Sequence, residues 1–108
     1  YKVVKCKSVE DYFSEIDSNN KNIIKIDAQG YDEKIFQEIP KKVLDNTSLL
    51  MIEITPLETK SFNKEKFNEK LKCFKKYYNF DNKELNIDEV NTLINLKSGK
   101  HFDLIFVN

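Results

Sequence analysis

The fold is decided by residues 22–38, NIIKIDAQGYDEKIFQE, which predict a buried strand, a short turn and a helix. The strand is indicated by three closely spaced β-branched residues, Ile23, Ile24 and Ile26, a run typical of strands that are covered on both faces. The run stops at Asp27, and Gly30 then supplies the backbone freedom that a sharp turn needs. The stretch therefore places an acidic side chain at the carboxyl end of a strand.

A helix is predicted after the turn, because apolar residues recur at helical spacing at Tyr31, Ile35 and Ile39. Open α/β sheets bind their ligands in the crevice outside the carboxyl ends of their strands. Asp27, Gln29 and Tyr31 follow such an end and are therefore candidate site residues.

Two further apolar runs, at residues 49–54 and 102–107, predict core strands. A helical pattern separates residues 49–54 from the strand at Ile23–Ile26, and such an arrangement favours parallel pairing of these two strands through a right-handed crossover. We therefore expect an α/β sandwich, in which helices cover both faces of a mostly parallel sheet.

Capping residues mark the starts of further helices, at Ser8 and at either Ser61 or Asn63. Asn86 with Glu89 resembles another capping box, and the residues after it would form a short helix or an irregular apolar segment. The helix that starts at Ser61 or Asn63 is expected to be the longest, because apolar residues continue at helical spacing as far as Tyr78. Short strands are predicted at residues 1–6 and, at a sheet edge, at residues 79–85.

Length and charge limit the class of protein. A chain of 108 residues is expected to form one domain, residues 1–108. Its 18 basic residues, all lysine, balance 18 acidic ones, so neither nucleic acid nor an anionic membrane is an expected partner. No apolar run approaches the length of a membrane span, and the start at residues 1–4 is not expected to be a signal peptide, because it has no extended apolar segment.

The two cysteines, Cys6 and Cys73, do not suggest a disulfide framework. Two reduced thiols are typical of a cytoplasmic protein, which is the expected location. The chain begins without Met and directly in a strand-like pattern, so we expect a fragment boundary at Tyr1.

The segment KIDAQGYDEKIF resembles the Lys-Ile-Asp-x-Glu/Gln-Gly-x-Glu-x-x-Leu signature of FkbM-type S-adenosylmethionine-dependent methyltransferases. The matching residues are Lys25, Ile26, Asp27, Gln29 and Gly30. The chain departs from the signature at Asp32, where Glu is usual, and at Phe36, where Leu is common. Residues 8–12, 49–55 and 102–108 are similar to flanking segments of the same family, so the likeness spans nearly the whole chain.

The resemblance implies the carboxyl-terminal half of a Rossmann-like, class I methyltransferase-type domain, whose last strand inserts antiparallel between its predecessors. It implies S-adenosylmethionine as cofactor, and O-methylation of a sugar or another small-molecule hydroxyl aligned with the sulfonium methyl group. The Gly-rich loop that holds the cofactor in this family has no counterpart here, because the two glycines, Gly30 and Gly99, form no Gly-x-Gly pattern. No cofactor-binding residue is therefore identified, and the fragment alone is expected to be inactive.

Each candidate site residue has a structural alternative. Asp27 is the candidate catalytic residue, which would orient the acceptor hydroxyl or remove its proton, but it could instead accept hydrogen bonds from turn amides. Gln29, Tyr31 and Glu53 are candidate substrate-binding residues, although Gln29 could simply brace the turn. Glu53 could also pair with Lys25 on the neighbouring strand.

The only histidine, His101, has no clustered ligands in the sequence and is expected to be a surface residue, so no metal site is predicted. A second hypothesis is a non-catalytic α/β binding or assembly module. In a half-domain the strand at Ile23–Asp27 would form an apolar sheet edge, covered either by residues 1–6 or by a second copy of the chain in a homodimer.

Overall fold

The computed structural model describes residues 6–14, 21–55, 63–96 and 100–108. The strands in these residues are β1 (Asn22–Lys25), β2 (Thr47–Ile54), β3 (Lys76–Asn79), β4 (Glu84–Leu85) and β5 (Phe102–Val107). The helices are α1 (Val9–Ser14), α2 (Asp32–Glu38), α3 (Lys41–Asp45), α4 (Lys64–Leu71) and α5 (Ile87–Ile94). The predicted α/β class is confirmed.

The strands form one mixed sheet with the order β1-β2-β5-β3-β4. β1 and β2 are parallel, whereas β5 runs antiparallel to both of its neighbours, β2 and β3, and β4 runs antiparallel to β3. The antiparallel last strand is confirmed. The expectation of a mostly parallel sheet is wrong, because the hairpin β3–β4 and the insertion of β5 leave β1–β2 as the parallel pair.

The hairpin replaces part of the predicted long helix. α4 ends at Leu71, so the expected helical position of Tyr78 is wrong, and this residue lies in β3. The hairpin turn is built by Asn79, whose Oδ1 accepts hydrogen bonds from the backbone N–H groups of Asp81 and Lys83 at 2.9 and 3.0 Å. Asn82 takes the left-handed conformation with φ of 62°, which asparagine tolerates better than most residues.

The helix starts were predicted well. The Oγ of Ser8 accepts from the N–H of Asp11, the side chain of Asn63 caps α4, and Asn86 forms a capping box with Glu89 at the start of α5. Of the two candidates for the start of α4, Asn63 is thus the cap. The predicted strand at residues 1–6 lies outside the described residues, apart from Cys6.

One face of the sheet carries the hydrophobic core. Alternate residues of β2 and β5 point into it, namely Leu50, Ile52, Ile54, Leu104 and Phe106. Each described helix contributes at least one side chain to the same cluster, and the ring of Phe36 in α2 lies 5.5 Å from that of Phe106 and 4.8 Å from that of Phe67 in α4.

The opposite face is less covered. Ile23 is 78% exposed there, and Met51 and Ile105 are half-buried. Since every described helix packs into the single core cluster, the expectation of helices on both faces is wrong for the described part of the chain. Among the described strands, β1 lies at one edge of the sheet, and the segment 1–6 that was expected to cover it lies outside the described residues apart from Cys6.

Candidate functional site

Asp27 lies at the carboxyl end of β1. The amide of Ile26 still bonds to the carbonyl of Met51 in β2 at 2.9 Å, so the strand pairing holds up to the residue before Asp27. The Asp27 side chain is exposed, and its Oδ2 lies 3.9 Å from the Nζ of Lys25. Because both side chains are exposed, this ion pair leaves the carboxylate accessible to a ligand.

A small cavity opens beside Asp27 at the carboxyl ends of β1 and β2. We call it the acid cleft; it has a volume of about 170 Å³. Its polar and aromatic lining consists of Lys25, Asp27, Glu53, Phe80 and Asp103. The cleft therefore brings together two of the predicted site residues, Asp27 and Glu53, and adds a third carboxylate.

Glu53 and Asp103 lie directly opposite each other across β2 and β5. Like charges in this arrangement disfavour pairing of the strands. His101 contacts this pair, because its Nδ1 lies 2.7 Å from Oε1 of Glu53. The partner that the structure gives Glu53 is therefore His101, whereas Lys25 pairs with Asp27.

The first turn of α2 carries two further acids with a different role. Asp32 is 1% exposed, and its carboxylate accepts hydrogen bonds from the N–H groups of Ala28 at 2.9 Å and Glu53 at 3.3 Å. Glu33 is fully buried and accepts from the N–H of Thr55 at 2.6 Å. These two carboxylates tie the turn after β1 to the end of β2, and so fix the walls of the acid cleft.

The environment of Asp32 changes its titration. Burial raises the pKa of Asp32 above 3.8, and the hydrogen bonds from Ala28 and Glu53 offset only part of this effect. Asp32, and not Asp27, binds the turn amide of Ala28. The role of accepting a hydrogen bond from a turn amide, which was the structural alternative for Asp27, is therefore played by Asp32.

Gln29 and Tyr31 are both exposed, and Tyr31 is 64% exposed. Neither residue lines the acid cleft. Gly30 has φ of 84°, so the turn needs the glycine, and the N–H of Tyr31 bonds to the carbonyl of Ala28 at 3.2 Å. The turn thus directs these two side chains away from the Asp27–Glu53 pair.

A second cavity adjoins the acid cleft. We call it the hairpin cleft; it has a volume of about 530 Å³ and lies between α5 and the β3–β4 hairpin. Phe80 and Asp103 line both cavities, and His101 lines the hairpin cleft. His101 was not predicted as a site residue, because the register of β2 and β5 brings it to Glu53 from 48 residues away.

A third, more apolar cavity of about 650 Å³ lies between α1, β1 and α2, and we call it the α1 cleft. Val9, Tyr12 and Phe13 form its wall on one side and Ile35 and Ile39 on the other. Asp27 lines this cavity too, so the residue lies at both the acid cleft and the α1 cleft.

The described residues hold no group of three or more His, Cys, Asp or Glu side chains with the geometry of a metal site. They also do not fit S-adenosylmethionine by themselves. Gly30 is used by the β1–α2 turn, and the carboxyl ends of β1 and β2 present acids in place of a glycine-rich loop. Within the described ranges, no helix is both long enough and apolar enough to cross a membrane.

Comparison of the chain with protein-family models finds no match, and comparisons with curated proteins and with solved structures find none either.

Proposed function

We propose that this chain is the acceptor-binding half of an FkbM-like, S-adenosylmethionine-dependent methyltransferase that methylates a hydroxyl of a sugar or another small molecule. The observation that carries the proposal is the strand order β1-β2-β5-β3, in which the last strand inserts antiparallel between its predecessors. The resembled fold has this arrangement, and the signature residues Lys25–Gly30 lie on its first described strand and turn.

The roles assigned to this chain concern the acceptor. Asp27 would accept a hydrogen bond from the acceptor hydroxyl, hold its oxygen in place and take its proton. Glu53, oriented by His101, would bind a second hydroxyl of the same acceptor. The accessible carboxylate of Asp27 and its shared cavity with Glu53 support these assignments.

The cofactor would be held by residues outside those described, since residues 6–14, 21–55, 63–96 and 100–108 do not form a recognisable pocket for it. S-adenosylmethionine, when bound, supplies the methyl group. We expect calorimetry to show no micromolar binding of the cofactor to the 108-residue chain, and such binding would overturn the division of roles proposed here.

The test is transfer of labelled methyl groups to sugar acceptors by the complete protein that the parent reading frame encodes. Asp27→Asn is expected to lower the turnover number about 100-fold or more, because the amide cannot take the proton. Asp45→Asn is the matched control, since Asp45 is an acid in an exposed ion pair with Lys41. The assignment of Asp27 fails if both variants transfer methyl groups at the wild-type rate.

A second candidate function is a non-catalytic assembly module. It is favoured by the exposure of Ile23 on the less covered face and by the position of β1 at the edge of the five described strands. Sedimentation at increasing concentration tests it: an assembly module would form a dimer that Ile23→Lys weakens, and a strict monomer excludes the homodimer. A glycine-rich loop encoded upstream would favour the enzyme over the module.

A further inference from the structure

We propose that the hairpin cleft binds an uncharged sugar ring, which stacks on Phe80 and extends from the acid cleft. This proposal names the class of acceptor and a subsite for it. It rests on the proposed function only in treating the bound sugar as the acceptor of the methyl group. The binding itself is independent of methyl transfer and can be tested without a methyl donor.

The position of Phe80 is the first step. This side chain is 52% exposed at the tip of the hairpin, where a large apolar ring gains little from burial. The turn that holds it is rigid, because Asn79 accepts from the N–H groups of Asp81 and Lys83 while the N–H of Asn82 bonds back to the carbonyl of Asn79 at 3.2 Å. The ring is therefore a preorganised flat surface, which suits the C–H face of a sugar.

The polar groups around Phe80 are the second step. Asp103 and His101 lie on the wall of the cleft, and both can hydrogen-bond to hydroxyl groups. Leu85 and Leu93 supply an apolar base. A few polar groups over an apolar floor, in a cavity of about 530 Å³, match the usual composition and size of a small-molecule site.

The charge of the two adjoining cavities decides which sugars fit. Their acids are Asp27, Glu53, Asp81, Glu89 and Asp103. Their lysines are Lys25 and Lys83, which pair with Asp27 at 3.9 Å and with Glu89 at 4.0 Å. This excess of carboxylates disfavours phosphorylated sugars and uronic acids, so among these sugars it favours the uncharged ones.

Continuity between the cavities is the last step. Because Phe80 and Asp103 line both, a ring stacked on Phe80 directs its neighbouring groups toward Asp27 and Glu53. The α1 cleft is larger, but its walls are mainly apolar and lack a comparable set of hydroxyl-binding side chains. The hairpin cleft is thus the better site for a hydroxyl-rich ligand.

The experiment is a titration of the 108-residue chain with methyl glucoside, methyl galactoside and chitotriose, followed by amide chemical shifts, with glucose 6-phosphate as the charged comparison. We expect the amides of Phe80, Asp81 and His101 to shift with an uncharged sugar. Phe80→Ala is expected to weaken that binding roughly tenfold. Tyr12→Ala is the matched control, because Tyr12 is an aromatic residue of similar exposure, 56%, in the α1 cleft.

Three results would overturn the proposal. They are the absence of shifts with every uncharged sugar up to about 20 mM, stronger binding of glucose 6-phosphate, or loss of binding in Tyr12→Ala but not in Phe80→Ala. Sugar binding without methyl transfer by the complete protein would leave the subsite intact and remove the proposed reaction. Methyl transfer by Phe80→Ala at the wild-type rate would leave the proposed reaction intact and remove the sugar subsite.

Discussion

The acid cleft and the first turn of α2 both contain carboxylates, but Asp27 in the cleft is exposed and Asp32 in the turn is buried. Asp27 is exposed, and its Oδ2 lies 3.9 Å from the Nζ of Lys25, which is also exposed. Asp32, five residues later, is buried and bonded to two backbone amides. A carboxylate bonded to backbone N–H groups stabilises the fold, whereas an accessible one is available to a ligand. Burial and backbone partners, not residue type, therefore separate structural acids from candidate functional ones.

The largest effect that this comparison predicts is on stability. Asp32→Ala would remove a buried side chain and leave the half-buried N–H groups of Ala28 and Glu53 without their acceptor, which is expected to lower the free energy of unfolding by about 3 kcal/mol. Asp27→Ala, the matched control, is expected to change it by less than about 0.5 kcal/mol. Urea denaturation followed by circular dichroism measures both values, and equal losses in the two variants would remove the distinction between the two acids.

A smaller effect is predicted on the pH dependence of stability. Burial raises the pKa of Asp32 above 3.8, so the folded chain holds this proton more tightly than the unfolded chain. The resulting stabilisation is complete below the unfolded-state pKa and is lost as the pH rises from there through the folded-state pKa.

Unfolding of the wild type and of Asp32→Asn between about pH 3 and pH 7 tests this prediction. The difference in unfolding free energy, wild type minus variant, should fall as the pH rises. A difference that grows with pH would mean that the hydrogen bonds from Ala28 and Glu53 outweigh burial, and that the folded chain favours the ionised carboxylate.

Local signals in the sequence predicted much of the frame of this site. The strand β1 and the capping residues Ser8 and Asn86 were found because their patterns involve residues close together in the chain. The expectation that this strand is buried on both faces is wrong at Ile23, which is exposed. The helix predicted from the spacing of Tyr31, Ile35 and Ile39 also includes Asp32. The spacing did not reveal the bond of Asp32 to Glu53, because that bond depends on how α2 packs against β2.

The wrong and missed predictions concern features that no local sequence pattern determines. The apolar spacing that predicted a helix as far as Tyr78 continues across the end of α4, so periodicity alone could not distinguish the helix from the strand that follows. The bond between His101 and Glu53 depends on the antiparallel register of β2 and β5. No local pattern carries that register, and the cavity beside Phe80 depends on it too.

The smallest predicted effect tests whether the exposed acid contributes to the fold at all. Lys25→Met removes the cation beside Asp27, and we expect the free energy of unfolding to change by less than about 0.5 kcal/mol, because both side chains of the pair are exposed. Lys41→Met, which removes the cation of the exposed Lys41–Asp45 pair at 3.3 Å, is the control and should behave alike. A loss above about 1 kcal/mol in Lys25→Met alone would show that the strand end needs a neutralised Asp27. Asp27 would then belong with Asp32 among the structural acids, and its assignment to an acceptor hydroxyl would lose its physical basis.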